Sequence, residues 1–326
     1  VPVKIADIAK LAGISSASVS RILNKTGRYS EETAARVKKI AKDIGYYKDR
    51  SAADLAQKNN KTIGVIYTNS KTNFNNIVIN GVMAEADEHG LDIILMATKR
   101  NDPKKLLKTV RNMIERRVNA LLLISLQPTS EVINMLKQVK INTKLVGTST
   151  DKDIYFVSSN DFLMGYQATK SLIRAGYKKI GMAGSDIMQD YVARLRYKGY
   201  LKALGEAKIK FQTDWLSPGN FSYDSGIESA AYFHEKKNVS AIIGVSDEVS
   251  LGLLNGLHDL GDTVPADFSI VSIDGTEICT RSRPQLTSIT QNFALMGKIA
   301  VTEFQNNKQN VLVPFKLVQR STTKKL

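Results

Sequence analysis

Arg21 lies in the run Ser16-Ala17-Ser18-Val19-Ser20-Arg21-Ile22-Leu23-Asn24. Helical spacing turns Val19, Ile22 and Leu23 one way and leaves Ser16, Ala17, Ser20, Arg21 and Asn24 outside. A guanidinium presented there is a planar fork of donors, able to pair two-point with O6 and N7 of guanine. Ser16 and Ala17 are short, which suits a methyl contact or a single hydrogen bond rather than long-armed readout. The chemistry on offer is hydrogen bonding from an exposed helix face, for which a base edge is one suitable partner. Bond-breaking chemistry has no comparable set of residues. The chain lacks a G-x-S-x-G elbow, a phosphate-binding P-loop and a His/Cys cluster at metal spacing. His89, His234 and His258 sit far apart on predicted helices, and Gly181-Met182-Ala183-Gly184 is too weak a glycine pattern for a dinucleotide. No catalytic residue, metal or cofactor is expected, and the chain reads as a binding protein, not an enzyme.

Three short helices must position that face. Ile5, Ile8, Ala9 and Ala12 repeat at i, i+3, i+4 and i+7, which predicts a helix over 4–12. Gly13 suits a left-handed helix end, and Ser15 can cap the helix over 16–24. After Gly27, Ser30 caps a third helix with Glu31 and Glu32 at its positive end. Val37, Ile40, Ala41 and Ile44 supply its apolar face, and Gly45 ends it. Two helices across a three-residue turn, braced by a third, is helix-turn-helix geometry, with the second helix in the major groove. A generic three-helix bundle uses the same periodicities, so charge is the second criterion. Residues 1–61 hold 13 Lys and Arg against 6 Asp and Glu, a balance of +7 out of the chain's +15. The remaining +8 is spread over more than four times the length. Such concentration suits a phosphate-binding head, although a solvated basic surface carries the same charge.

At 326 residues and 43% hydrophobic content, the chain can hold this head plus one or two core-bearing domains. From Thr62 the pattern changes to short β-branched runs alternating with amphipathic helices. Strands are expected at 63–67, 93–97, 121–125 and 145–148, with helices near 77–89, 104–117 and 131–140. A second series begins around Phe162, with strands near 180–183, 241–245 and 270–273 and helices near 163–175, 191–204 and 248–260. Two strand–helix series imply two similar lobes with parallel sheets, and a ligand between the carboxyl ends of their strands. No run of some 18 apolar residues exists, so no membrane span is expected. The first residues lack the apolar core of an export signal, and the single Cys279 rules out an internal disulfide. Both fit a cytoplasmic protein.

The run Ile5-Ala6-Asp7-Ile8-Ala9-Lys10-Leu11-Ala12-Gly13-Ile14-Ser15, then Ser18-Val19-Ser20-Arg21-Ile22-Leu23-Asn24, Ser30-Glu31-Glu32-Thr33 and Gly45-Tyr46 resembles the head of the lactose/galactose-repressor family of bacterial transcriptional regulators. The resemblance implies base reading by Ser16, Ala17 and Arg21. It implies support on the DNA from Lys4, Ser15, Ser20, Asn24, Ser30, Thr33 and Tyr46, of which Asn24, Ser30, Thr33 and Tyr46 would hold the phosphate backbone. Residues 49–57 are similar to the family's hinge, which becomes helical on DNA. Ala52 and Leu55 would lie in the minor groove there, with Leu55 as a wedge. Lys48 in place of the usual proline and Ala53 in place of a common arginine depart from the pattern, so hinge contacts should be weaker or differently arranged.

The body resembles the family too, in Lys178-Lys179-Ile180-Gly181, Ser246-Asp247-Glu248, Val264-Pro265-Ala266-Asp267, Ile273-Asp274, Pro284-Gln285-Leu286-Thr287, and Gln291 with Met296-Gly297. The fold implied is an all-α helix-turn-helix head (1–48), a hinge (49–61) and a two-lobed α/β body like periplasmic binding proteins (62–326). The first lobe would take 62–159 and 291–320, and the second 160–290 and 321–326. By resemblance Arg194 and Asp274 grip polar ligand groups and Phe221 packs on the ligand. Phe74, Ser246, Asp247 and Phe293 join the same site. An Arg–Asp pair can equally be a structural ion pair, and either aromatic can be core. The implied function is a repressor of a carbohydrate-use operon, bound as a homodimer to a near-palindromic double-stranded operator and controlled by a small sugar. Lys99 and Arg100 after the second strand also admit a sugar phosphate, and a solvated basic loop reads the same. A global regulator with a protein corepressor and a stand-alone sugar-binding protein are the alternatives.

Overall fold

The computed structural model describes residues 3–46, 61–68, 74–99, 101–184, 186–302 and 309–324. The chain divides into two compact units, Val1–Asn60 and Lys61–Leu326. In the first, α1 (Ile5–Ala12), α2 (Ser16–Leu23) and α3 (Glu31–Asp43) close on a core of Ile8, Ala9, Ala12, Val19, Ile22, Ala34, Val37 and Ala41. The expected caps form. Gly13 ends α1 at φ 66°, a left-handed conformation that costs a residue with a Cβ. Ser15 and Ser30 accept hydrogen bonds from the amides of Ser18 and Thr33, opening α2 and α3.

The second unit holds two parallel-stranded sheets. The first joins β1 (Thr62–Thr68), β2 (Asp92–Thr98), β3 (Ala120–Ile124), β4 (Asn142–Val146), β5 (Tyr155–Ser158) and β11 (Val311–Leu312) in the order β11-β5-β4-β3-β1-β2. Helices α4 (Phe74–Glu88), α5 (Pro103–Glu115) and α6 (Ser130–Gln138) connect its strands. The second sheet joins β6 (Ile180–Ala183), β7 (Leu216–Ser217), β8 (Ala241–Gly244), β9 (Ser269–Asp274), β10 (Thr287–Thr290) and β12 (Lys316–Val318) in the order β12-β10-β9-β8-β6-β7. Its helices are α7 (Asp161–Arg174), α8 (Tyr191–Glu206), α9 (Tyr223–Lys236), α10 (Asp247–Asp259) and the short α11 (Ile278–Arg281). A further helix, α12 (Phe293–Thr302), packs on α4 in the first lobe. Runs such as Ala120–Ile124 and Ala241–Gly244 are buried at every position, as central parallel strands covered on both faces must be.

Two expectations are corrected. The sequence puts 291–320 in the first lobe, but β12 pairs antiparallel with β10, Ser288 opposite Val318, so the last crossing precedes Lys316. Edge pairing on the second sheet, where β10 offers an open side, decides the matter. Helix α4 begins at Phe74, not near 77. Asn75 breaks the apolar pattern yet is buried, and its side-chain amide donates to the Thr68 carbonyl and hydroxyl at 3.0 Å.

Close helix crossings set the positions of the side chains that matter below. A Cβ on Gly165 of α7 would stand 2.0 Å from the Arg196 carbonyl oxygen, and one on Gly199 of α8 would stand 2.0 Å from that of Phe162. With no side chain at either point, α7 and α8 pack backbone to backbone. This brings the start of α7 against the middle of α8.

Candidate functional site

On the first unit, Ser16, Ala17 and Arg21 are exposed along one face of α2, while Val19 and Ile22 are buried beneath them. Ser20 and Asn24 continue that face, half-buried, with the Asn24 amide donating to the Ser20 hydroxyl at 3.2 Å. Ser15 and Ser30 spend an oxygen on capping, and their hydroxyls pair with those of Ser18 and Thr33. Lys4 is exposed ahead of α1, with its amide donating to Asp7 at 2.8 Å. Tyr46 is half-buried after α3. Ala52 and Leu55, together with residues 49–60 of the expected hinge, lie outside the described residues. Short polar groups and one long cation on an exposed helix flank can enter a groove and form hydrogen bonds there.

On the second unit, a cleft lies at the carboxyl ends of both sheets. It encloses about 640 Å³ of empty space, its open mouth included. The first lobe contributes Phe74, Asn101, Ser125, Gln127 and Thr148, and the second Asp190, Arg196, Phe221, Ser246 and Asp274. Gln291 and Phe293, where the chain returns to the first lobe, complete the lining. Phe74 and Phe293 stack at 4.8 Å between ring centres and 25° between planes, forming an apolar wall. Gln127 donates to the Thr148 hydroxyl and the Ser149 carbonyl, both at 2.8 Å, which fixes its amide within the first lobe's share of the lining.

Arg196 is the cation of this site. It is 5% exposed on α8, and its Nε donates to Asp161 at 3.0 Å. One terminal nitrogen donates to the Val245 carbonyl, and the other stands 3.8 Å from Asp274. Burial alone would lower its pKa, but Asp161 and Asp274 outweigh it and hold the guanidinium more firmly charged. Burial pushes Asp161 above the usual carboxylate range despite Arg196. Burial also pushes Asp274 up to about 8, against the pull of Arg196 and with the Asp247 charge adding to the rise. Asp274 takes φ 132°, a conformation that L residues rarely adopt. The Gln291 amide holds its carboxylate at 3.0 Å, and the Gln291 N–H holds its carbonyl at 2.9 Å. Phe221 takes φ 67° and is clamped between the Gly184 carbonyl, which its N–H meets at 2.8 Å, and the Ser246 hydroxyl, which donates to it at 3.2 Å. Backbone in these sparsely populated conformations is held in place at both cleft residues by its neighbours.

The structure brings Phe74, Phe221, Ser246, Asp274 and Phe293 together as the sequence expects. It replaces Arg194 with Arg196. Arg194 lies over the Tyr191 ring at 5.7 Å, donates to the Met188 carbonyl and does not line the cleft. Asp247 stands behind the wall, accepting from the Ser272 hydroxyl at 2.5 Å, the Thr276 amide at 2.6 Å and the Cys279 thiol at 3.1 Å. It braces the loop after Asp274. Lys99 is not among the lining residues, and Arg100 lies outside the described ones. Asn101, Ser125, Gln127 and Asp190 escaped the sequence reading because each sits in a loop or at a helix cap, where no periodicity marks it. Among the described residues no three His, Cys, Asp or Glu side chains converge as metal ligands, and no helix is long and apolar enough to cross a membrane.

Residues 4–49 match the lacI family of bacterial regulatory proteins, and residues 169–323 match a periplasmic binding protein-like domain. The ribose operon repressor of Haemophilus influenzae is 30% identical over 300 residues, 90% of this chain and 89% of that protein. A lac repressor dimer, solved bound to operator and the anti-inducer ONPF, superposes at TM-score 0.85 with 25% identity over 99% of both chains. The regulator CCPA of Weissella paramesenteroides, solved with bound sucrose, superposes at TM-score 0.74 with 27% identity, over 80% of this chain and 98% of that one.

Proposed function

This chain belongs to the lacI family of bacterial regulatory proteins, and from that premise we propose a repressor whose head reads an operator and whose cleft senses a small sugar or sugar phosphate. The observation that carries the reading is the exposed Ser16, Ala17 and Arg21 face of α2, fixed by a capped turn against a buried core. In this reading Arg21 pairs with a guanine, Ser16 and Ala17 contact neighbouring bases, and Asn24, Ser30, Thr33 and Tyr46 set register on the phosphates. Residues 1–48 form the DNA-binding head, 49–61 the hinge and 62–326 the sensor. One head makes too few contacts for specific binding. A homodimer on a near-palindrome doubles them, and the lac repressor neighbour was solved as a dimer on its operator. Working on DNA places the protein in the cytoplasm of its bacterial cell.

Arg196 and Asp274 are assigned to ligand hydroxyls, with Phe74, Phe221 and Phe293 covering apolar ring faces. Because both lobes line the cleft, a ligand that contacts both favours one inter-lobe arrangement over another. A coupling of about 1–3 kcal/mol would change operator affinity by roughly 5- to 150-fold. The assigned role is binding, with no reaction attached.

Operator selection from a random DNA pool, using full-length protein and repeated with a panel of sugars and sugar phosphates, tests this reading. A near-palindrome whose recovery changes with one compound is expected. No enriched sequence would overturn the DNA reading. A palindrome indifferent to every compound would overturn the sugar-sensor half and turn attention to a protein corepressor.

A further inference from the structure

Outside the cleft and the head, positive charge concentrates on one helix, α5, and the two residues that follow it. Residues 103–117 carry Lys104, Lys105, Lys108, Arg111, Arg116 and Arg117 against one acid, Glu115, a balance of +5. The whole body beyond residue 61 carries +8, so fifteen residues hold most of its excess. Their placement follows from the packing of α5. Leu106, Thr109, Val110 and Met113 are buried against the first sheet, and Lys104, Lys105, Lys108 and Arg111 are exposed on the side that faces away. A rise of about 1.5 Å per residue sets Lys104, Lys108 and Arg111 about 6 and 4.5 Å apart along the helix axis.

A solvated helix normally pairs its cations with acids three or four residues away. Here Glu115, four after Arg111, and the capping Asp102, three before Lys105, stand at that spacing, yet among the described residues neither forms an ion pair. Lys104 and Lys108 are like charges at i and i+4, a spacing that disfavours the helix. Lys104 and Lys105 also stand in the first turn, against the positive end of the helix dipole. Among the described residues, none of Lys104, Lys105, Lys108, Arg111 and Arg116 has a carboxylate within ion-pair distance. The face also lacks an exposed large apolar residue. Stable protein partners are anchored by buried aromatic or aliphatic groups, whereas a polyanion needs only spaced cations that release its counterions.

We infer that the outer face of α5 is a second DNA-contacting surface, which takes backbone phosphates of the duplex flanking the operator. The inference rests on the reading of the head as a DNA binder. That reading makes duplex DNA the polyanion held near this chain at high effective concentration. Recognition is by charge alone, so the flank's sequence is irrelevant and its length decides.

The test measures affinity of the full-length protein for the selected operator, centred in duplexes of about 20 and about 60 base pairs, from 50 to 200 mM salt. If the bound dimer neutralises three flanking phosphates in all, the longer duplex steepens the log–log salt slope by about 2.7. That corresponds to about 40-fold more affinity lost across this range. The variant Lys104→Gln/Lys108→Gln/Arg111→Gln should bind the short duplex as the parent does and lose the extra slope on the long one. Equal slopes on both duplexes for the parent, as a surface reserved for an acidic protein would give, overturn the inference. So does a variant that keeps the length dependence. Failure to bind even the short duplex would instead overturn the reading of the head, which keeps the two failures distinct.

Discussion

Replacing Arg196 with methionine separates the structural and sensing roles of the cleft's cation. The side chain is 5% exposed and its Nε is 3.0 Å from Asp161, itself 3% exposed. Methionine keeps much of the volume and removes the charge, so the dominant cost is the carboxylate left behind. Asp161 would retain only the Ser149 hydroxyl at 3.4 Å. Breaking a buried pair from one side costs about 3–5 kcal/mol. With a urea m value of about 3 kcal/mol per molar, the unfolding midpoint at pH 7 should fall by about 1–1.7 M. The loss should depend on pH with a definite sign. Asp161 is already raised by burial, and removing Arg196 takes away the influences that lower it, so its folded pKa climbs further. A group with a raised folded pKa gains stability as pH falls towards its unfolded value, so the gap between variant and parent should narrow from pH 7 to pH 5. Adding Asp161→Asn should recover about 2 kcal/mol, because the orphaned charge is gone. Effector affinity should stay lost in the double variant. A loss under about 1 kcal/mol, an equal loss at both pH values, or no recovery in the double variant would refute this account of the pair.

Arg21→Ala should cost about 1–3 kcal/mol and relax preference at one base pair, read by competition among operators changed at single positions. An equal loss on every sequence would make Arg21 a phosphate contact. Asp274, raised to about 8, is mostly protonated at pH 7, and a sugar hydroxyl donates best to the ionised form. Effector affinity measured by calorimetry should therefore rise about tenfold from pH 6 to 7 and level off above 8. Asp274→Asn should flatten that profile and raise thermal stability at pH 9, where the parent must hold a buried carboxylate ionised; a profile already flat in the parent refutes the assignment. A Cβ on Gly81 of α4 would stand 2.2 Å from the Ala294 carbonyl oxygen in α12, so Gly81→Ala should cost about 1–3 kcal/mol in urea unfolding. Gly205→Ala, with open space around it in α8, should gain about 0.5–1 kcal/mol. Equal effects at the two glycines would mean that the helix crossing is not close.

The head was legible because every device in it is local. Gly13, Ser15 and Ser30 act within three or four residues of themselves, and periodicity alone separates Val19 and Ile22 from Ser16, Ala17 and Arg21. The lobes were legible as alternation, and most expected strands fall within a residue or two of those observed. What escaped was short or non-local. Strand β7 has two residues, β12 is placed by pairing with β10 across the sheet, and α9 mixes Ser, Ala and Gly with few large apolar side chains. Small residues there allow the close approach of α10, so the apolar stripe that advertises a helix is missing.

The cleft's cation teaches the sharper point. Resemblance named Arg194, whereas the helix itself names Arg196. Ala193, Arg196, Tyr200 and Ala203 fall on one stripe of α8 at spacings of three and four, all of them buried, and Arg194 lies off that stripe. An arginine at a core position of a helix is costly unless a carboxylate waits for it, so its presence predicts a partner and a reason. The partner, Asp161, is 35 residues earlier in α7. Only the glycine contacts at Gly165 and Gly199, invisible until the helices are packed, put it within reach. Asp247 errs in the opposite direction. It sits in a motif beside a cleft residue and looks like a ligand group, yet its oxygens are taken by Ser272, Thr276 and Cys279. A charged residue's place in a motif therefore marks the neighbourhood of a site. Its place on the helical stripe, and the donors already around it, decide whether it faces the ligand or holds the wall.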